Sequence, residues 1–393
     1  MATEGIGSRI KHERKLAGLT QAQLANRIGY SVSYVRAVEQ GREPASPAFT
    51  AAVAAKVGVD PDRLNGAPYI ETLEEEGPIE GLEKLRVILA EGTHVRAAEP
   101  RSPQQLRADL TAVQAALHKD RTRLSLSLVP DLIRGLHGAA QAARTDAERR
   151  TAYEMLCEAY IAAEGAVCRL GFSSLTALIL DRLDAAAAHA DDPGYAVRGL
   201  MKRARLLMAH GSTTVAMSLV EQGLGMIDGD SESERVLRGY GHLRGAIVAA
   251  RSRQLDSATE HIREAQRIAS AMNHESALYT TEFGPGNTAI HDCAVELEAG
   301  DPGKAAITGS RLRLPPDVAA PRAGHHWQDN ARAWLMAGKP HEALQALNKA
   351  RAVAPQQTRL HPSVRETVYG IASAERYRSD SLGNFTRWLG MNV

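Results

Sequence analysis

A short amphipathic stretch beginning at Ser31 gathers residues that could touch a polar partner. Val32, Ser33, Arg36 and Ala37 share one face, with Val35 and Val38 opposite. On a protruding helix, an arginine can donate two parallel hydrogen bonds to O6 and N7 of guanine. A serine can bond to a base edge or a phosphate, and valine or alanine can touch the methyl of thymine. Ser31 and Tyr34 belong to the same candidate contact set. Thr20 and Gln21 stand where a preceding helix opens, so its free N–H groups and the Gln21 amide can hold a phosphate. Arg42 lies just past the stretch, where a duplex backbone would rise again.

Positioning these groups takes a small helical domain, whose punctuation is readable. Ile6 and Ile10 repeat on one face of a first helix, and Gly18 supplies its left-handed stop. Thr20-Gln21-Ala22-Gln23 is a capping box that opens a second helix, which carries Leu24 and Ile28 inward and ends at Gly29. Ser31 caps the third helix and Gly41 closes it. Ser46-Pro47 and Asp60-Pro61 start two more, each an N-cap followed by proline at the first helical position. A helix crossing a phosphate backbone and a second helix pressed into the major groove, joined by a tight turn, is the arrangement expected of the second and third. Charge agrees: residues 1–66 hold nine lysines and arginines against six acids, although the whole chain of 393 residues carries only +1.

Through Gly18-Leu19-Thr20-Gln21-Ala22-Gln23-Leu24-Ala25, Gly29, Ser33-Tyr34-Val35 and Glu39-Gln40-Gly41-Arg42, the segment Ser8 to Leu64 resembles the phage repressor-like (Cro/C1, or XRE) helix-turn-helix domain. That resemblance implies that Arg14 of the first helix pairs with Glu39 at the end of the third, a structural pair, and that Gln21 holds phosphate. Relatives carry polar or basic residues at the positions of Val32 and Ala37, so direct readout here would be thin and shape readout correspondingly larger.

Past Gly66 the pattern loosens through Pro68, the acidic run Glu74-Glu75-Glu76, a short amphipathic helix from Ile79 to Ala90, and Pro100 and Pro103. Residues 67–103 read as a linker whose acids form a solvated surface. Beyond it, paired helices fill residues 104–393. Trp327, Ala331, Trp334, Gly338, Ala343, Leu347, Ala350 and Pro355 reproduce tetratricopeptide spacing, with small residues at close helix crossings and proline ending the second helix. The equivalent alanines Ala216, Ala258, Ala305 and Ala343 recur at offsets of 42, 47 and 38 residues, longer than the ~34 of the regular repeat, so the array is degenerate.

End to end the chain resembles actinobacterial regulators in which such a domain precedes a tetratricopeptide-like one, including at Phe283-Gly284-Pro285-Gly286-Asn287 with His291, at His326 to Ala350 and at His361 to Glu366. It is similar, more distantly, to peptide-sensing regulators of Gram-positive bacteria. The resemblance implies a transcription regulator that binds a double-stranded DNA operator as a homodimer and senses a small molecule or peptide in the repeat groove. Repeat register assigns Arg198, Met201, Arg205 and Met208, Tyr240, Leu243 and Ile247, Asn287 and Ile290, and His325, Gln328 and Arg332 to that groove, with His291 beside them. Its arginines favour a carboxylate or phosphate. The dimer contact is expected in the repeats or around Leu382, Phe385, Trp388 and Leu389. A second class of function stands on the same residues: a scaffold or antitoxin-like partner whose repeats hold a protein, with DNA binding secondary.

Composition narrows the rest. Abundant alanine and leucine, with aromatics at only 4%, favour closely packed helices, and an all-α chain follows. No apolar stretch approaches the ~20 residues of a membrane span, and Met1 to Gly5 lacks the pattern of a secretory signal, so a cytoplasmic location is expected. Cys157, Cys168 and Cys293 lack metal-ligand spacing and read as buried thiols. Gly284-Pro285-Gly286-Asn287-Thr288-Ala289 follows no strand, and Pro285 lacks the amide a phosphate turn would use. His325-His326 and His341-Glu342 have no partners at metal-ligand spacing, and no nucleophile-base set emerges. Neither cofactor, metal nor catalytic activity is expected.

Overall fold

The computed structural model describes residues 5–374 and 380–391. Met1 to Glu4, and with them most of the stretch read for a secretory signal, lie outside the described residues.

Five helices form the amino-terminal domain: α1 (Ile6–Leu16), α2 (Gln21–Ile28), α3 (Val32–Glu39), α4 (Pro47–Val57) and α5 (Pro61–Asn65). Their ends follow local chemistry. Thr20 and Gln23 close a reciprocal capping box on α2, and the Ser31 and Ser46 hydroxyls accept from the Tyr34 and Phe49 amides. Gly29 turns the chain between α2 and α3 at φ +70°, a left-handed conformation that suits glycine. Helices α1 and α3 cross so closely that a β-carbon on Gly7 would collide with the Val38 carbonyl. Ile10, Leu24, Val35, Phe49, Val53 and Leu64 fill the core without exposure.

Next come α6 (Ile70–Glu75), α7 (Leu82–Glu91), α8 (Pro103–His118), α9 (Thr122–Ala142), α10 (Asp146–Arg169), α11 (Thr176–Ala187), α12 (Gly194–Ala209), α13 (Thr213–Gly225), α14 (Glu232–Arg251) and α15 (Leu255–Ala269). The array ends with α16 (Pro285–Glu298), α17 (Pro302–Arg311), α18 (Ala320–Met336), α19 (Pro340–Val353), α20 (Pro355–Leu360), α21 (Pro362–Ala374) and α22 (Asp380–Trp388). From α8 to α19 consecutive helices pack as hairpins, forming an α-solenoid. Small residues permit the close crossings: Ala204, Ala216, Ala258, Ala331 and Ala343 are all fully buried. Pro355 does more than end α19, because it also opens α20.

The stretch expected to be a linker is instead part of this body. Leu73, Leu82, Leu85, Ile88, Leu89 and Val95 bury themselves in one core with α8 to α11. Nor are its acids simply solvated: Glu75 and Glu76 pair with Arg359, and Glu76 also with Arg123. Sequence patterning recognised α7 as amphipathic, but its partner faces lay in α9 and α11.

These contacts close the solenoid on itself. Helix α18 touches α8, and the Asp120 carboxylate between α8 and α9 accepts from the Gln356 and Gln357 amides at 2.7 and 3.1 Å. The far end is sealed by α22 and the residue after it: Leu382, Phe385 and Leu389 are buried against the α19 and α21 core. The expectation that these residues form a dimer contact is therefore corrected, since intramolecular packing uses up their apolar surface; Trp388 is half-buried, with Arg351 over its ring.

One side of the amino-terminal domain rests on the solenoid. Arg253 lies over the Tyr30 ring at 5.0 Å, Ser173 bonds to Asp62, and Ala51 abuts Gly211. At α21, Glu366 accepts from the Ile6 amide at 3.2 Å beside Arg9, and a cleft of about 180 Å³ separates this contact from Val38 to Pro44. Burial outweighs Arg9 and pushes the Glu366 carboxyl up to about 7. Ionising it thus costs the docked state an amount that grows from pH ~4.5, the ordinary value, up to about 7 and is complete above. Glu366→Gln keeps the acceptor and removes the charge. Because the cleft admits water, the expected gain is about 1 kcal/mol; thermal melts should show it at pH 8 and lose it at pH 5.

Candidate nucleic-acid interface and inner groove

Helix α3 turns Ser31, Val32, Ser33 and Arg36 outward, with Val32 37% exposed. The side of the domain that meets the solenoid lies elsewhere, so this face is open to solvent. Thr20, Gln23 and Arg27 of the α2 region continue the exposed surface, as do Lys11 and Lys15 of α1. Gln40, one turn beyond Arg36, is exposed as well and accepts from Arg42. It was missed because Gly41 marks it as the end of the helix, yet a glutamine there can pair with adenine N6 and N7.

Two expected contacts are corrected. Ala37 is only 9% exposed, because the chain after α3 folds back and its amides at Arg42 and Glu43 bond to the Ala37 carbonyl at 2.9 and 3.4 Å. Tyr34 is half-buried: its hydroxyl donates to the Pro44 carbonyl at 3.2 Å, and its ring packs against Tyr30 and edge-on to Phe49. Both residues shape the domain from within.

Beneath the exposed face lies an ion pair. Arg14 donates through Nε and Nη2 to the two Glu39 oxygens at 2.5 and 2.9 Å, and through Nη1 to the Leu19 carbonyl at 2.6 Å. Gln21 Nε2 adds a third bond to Glu39 at 2.8 Å, which its expected role at phosphate did not foresee. Burial would raise the Glu39 carboxyl, but these donors hold it below its ordinary value. The network fixes the start of α2 against the end of α3, and so the angle between the two helices.

The groove residues divide into two groups. Arg198 and Tyr240 meet, guanidinium over ring at 4.3 Å, and Arg205 bonds to Glu164 and to Cys168 Sγ. Lys202 and Arg244, absent from the sequence set, join them: Lys202 bonds to Glu164 and Arg244 donates to the Tyr240 hydroxyl at 3.0 Å. Nearby, Asn287 donates to the Glu282 carbonyl at 2.7 Å and its own carbonyl bonds to His291. In the second group, Arg332 pairs with Glu298 at 2.9 Å, His325 faces Asp329 at 3.4 Å, and Gln328 donates to Thr358. His325 and Asp329 keep 33% and 20% of their side chains accessible; burial holds His325 below its ordinary value, whereas at Asp329 burial, which would raise the carboxyl, is outweighed by His325 and Arg332, which hold it low.

Met201 is corrected out of the groove. It is fully buried, with its methyl packed against Gly223 and Gly241, and Met208, Leu243 and Ile290 are likewise core. The face of α12 toward Glu164 and Tyr240 carries residues 198, 202 and 205 rather than 198, 201 and 205, a small rotation that repeat register alone does not set.

Among the described residues no group of three or more histidines, cysteines or acids could hold a metal, and no helix is long and apolar enough to cross a membrane. Cys157 and Cys293 are buried and Cys168 half-buried, all as free thiols.

Residues 6–65 match the family described as a helix-turn-helix domain, so the chain carries such a domain at its amino end. No curated protein matches the chain. Among solved structures it is similar to that of Bacillus thuringiensis PlcR in complex with the peptide PapR7 and DNA, at 14% identity over 95% of this chain and 100% of that chain, with a TM-score of 0.33. It is also similar to the TPR domain of P58(IPK), at 14% identity over 94% of this chain and 99% of that chain, with a TM-score of 0.24.

Proposed function

We propose that the chain is a transcription regulator that binds a specific double-stranded DNA site through α3, while the solenoid responds to a small molecule or peptide and joins two copies. The observation that carries the reading is the open face of α3. Val32, Ser33 and Arg36 stand exposed beside the free N–H groups that begin α2, although the same small domain is docked by another side. That is the geometry in which a helix enters the major groove while its predecessor grips the backbone. Arg36 reads guanine, Ser33 a base edge or phosphate, and Val32 a thymine methyl; Gln40 adds an adenine donor and acceptor once Arg42 turns to phosphate. One Gln21 amide proton serves Glu39 and the second faces a backbone phosphate together with the α2 amides. Two copies would place their α3 helices about one helical turn apart on an operator close to palindromic.

The test is a mobility-shift and footprint experiment with full-length protein on the region upstream of its own gene. A protected site that survives competitor DNA supports the reading. Retention that is equal on all sequences and collapses with salt would leave only non-specific attraction and reject it. Arg42→Ala should weaken binding to every sequence alike and lower the slope of log affinity against log salt by about 1, because it removes a phosphate contact and no base contact.

A further inference from the structure

Arg198, Lys202 and Arg205 follow one another at helical spacing on α12, and Tyr240 and Arg244 face them from α14. Four cations thus gather around one carboxylate, Glu164, and both of its oxygens are already taken by Lys202 and Arg205. In place of an acid, Arg198 has two main-chain carbonyls, those of Tyr279 at 3.0 Å and Thr280 at 3.2 Å. Its Nη1 is buried without a partner, and so is Nε of Arg244. Arg198, Lys202 and Arg244 are only 4%, 7% and 9% exposed. A buried guanidinium whose hydrogen bonds go to main-chain carbonyls, with no carboxylate beside it, is disfavoured. The neighbouring acids do not redress the balance: Glu282 answers His118 and lies beside Arg169 and Arg322, and Glu298 answers Arg332 and Arg251.

The segment supplying those two carbonyls is itself held in an unfavourable shape. Tyr279, Thr280 and Glu282 adopt φ of 51°, 51° and 52°, left-handed values that side chains other than glycine disfavour, and the Thr280 hydroxyl is buried without a partner. It is pinned by the Tyr279 hydroxyl donating to Asp192 at 2.7 Å and by Phe283, which is fully buried against Gly239. Strain of this kind persists where the surroundings over-determine it, and ligand clamps are one such place.

We propose that Arg198, Lys202 and Arg244, beneath residues 277–283, form the binding site for a small organic anion whose carboxylate or phosphate oxygens displace the Tyr279 and Thr280 carbonyls. Two guanidinium forks and an ammonium suit such oxygens, and the displaced segment relaxes as they bind. Tyr240 reports the event. Burial would raise its hydroxyl, but Arg198, Arg244 and Lys202 pull it down to about 6, and an added negative charge restores its proton.

The proposal rests on the solenoid being the responsive half of the molecule, and its test needs no DNA. Full-length protein is melted with inorganic phosphate or citrate against chloride of equal ionic strength, while the near-ultraviolet phenolate band is followed. Either anion should raise the melting temperature saturably and reduce the band; a response to phosphate alone assigns a phosphorylated ligand, to citrate alone a carboxylate. Arg244→Leu should abolish the response and melt no lower than wild type without anion, since the buried Arg244 has the Tyr240 hydroxyl as its one side-chain partner and Tyr240 regains its proton when that cation is lost. Tyr240→Phe should keep the thermal response and lose the spectral one. No response from wild type to either anion overturns the proposal, as does a response preserved in Arg244→Leu or a much lower melting temperature for that variant without anion. The same preparations in the shift assay show separately whether the DNA-binding reading fails.

Discussion

In the Arg14→Ala variant, α1 to α3 are expected to lose their cooperative fold while the solenoid keeps its own. The substitution removes three hydrogen bonds at once and leaves the Glu39 carboxylate, 7% exposed, with Gln21 as its remaining side-chain donor. Breaking one side of a buried pair costs about 3–5 kcal/mol because the surviving charge stays out of water. That is a large share of the stability of a domain this small. The sign of the pH dependence follows. In the native protein Glu39 ionises below its ordinary value, so its contribution is present at neutral pH and fades as the solution is acidified through the folded-state value. In the variant the stranded carboxyl is raised instead, so the deficit is greatest at neutral pH and shrinks toward pH 5. Arg14→Met combined with Glu39→Leu, which removes both charges and keeps apolar bulk, should recover most of the loss. Amide hydrogen exchange on the intact chain reads this directly: protection in α1 to α3 should fall by the stated amount while α14 and α15 stay unchanged. Equal protection in wild type and Arg14→Ala would refute the account.

That ion pair shows how far a sequence carries structural meaning here. The caps at Thr20, Ser31, Ser46 and Asp60 and the stop at Gly29 were legible because each acts within a few residues of itself. Hairpins such as α18 and α19 were legible for a related reason, since small residues at Ala331 and Ala343 report a close crossing between neighbours in the chain. What escaped depended on distant segments. Helix α7 looked like part of a linker because its partners lie in α9 and α11, and Leu382, Phe385 and Leu389 looked like a spare apolar face because α21 and α19 cover them. Ala37 failed for want of one local fact, that the chain doubles back over it after Gln40.

The candidate sites divide along the same line. Arg36 could be placed on an exposed face from the positions of Val35 and Val38 alone. The cation cluster could be reached only in part: Arg198, Arg205 and Tyr240 were within the expected groove, but Lys202 and Arg244 join them through a rotation of α12 against α14 that side-chain packing decides. Nothing in the residues 276 to 283 announces three left-handed conformations, since no glycine marks them.

Replacing Arg36 with alanine is expected to lower operator affinity by about 1–3 kcal/mol and to relax one base position, with little effect on the fold. Arg36 is exposed, and among the described contacts no side-chain bond ties it to the rest of the domain. Alanine is also the better helix former, so the melting temperature should be unchanged or slightly raised. The loss therefore belongs to the complex. If Arg36 donates both forks to guanine O6 and N7, its removal penalises the guanine site and leaves sites with another base at that position almost untouched, because those never received the two bonds. Arg36→Lys separates reading from attraction: it keeps the positive charge but not the planar fork, so it should retain the salt dependence and recover only part of the specificity. The contrast with Arg42→Ala completes the argument, since that change lowers the salt slope and spares the ranking of sequences. Competition binding over single-base variants of the footprinted site, measured for all three proteins at two salt concentrations, distinguishes these cases. A wild-type ranking of sequences that survives intact in Arg36→Ala would remove Arg36 from the interface and leave Val32, Ser33 and Gln40, with the shape of the duplex, to account for any specificity.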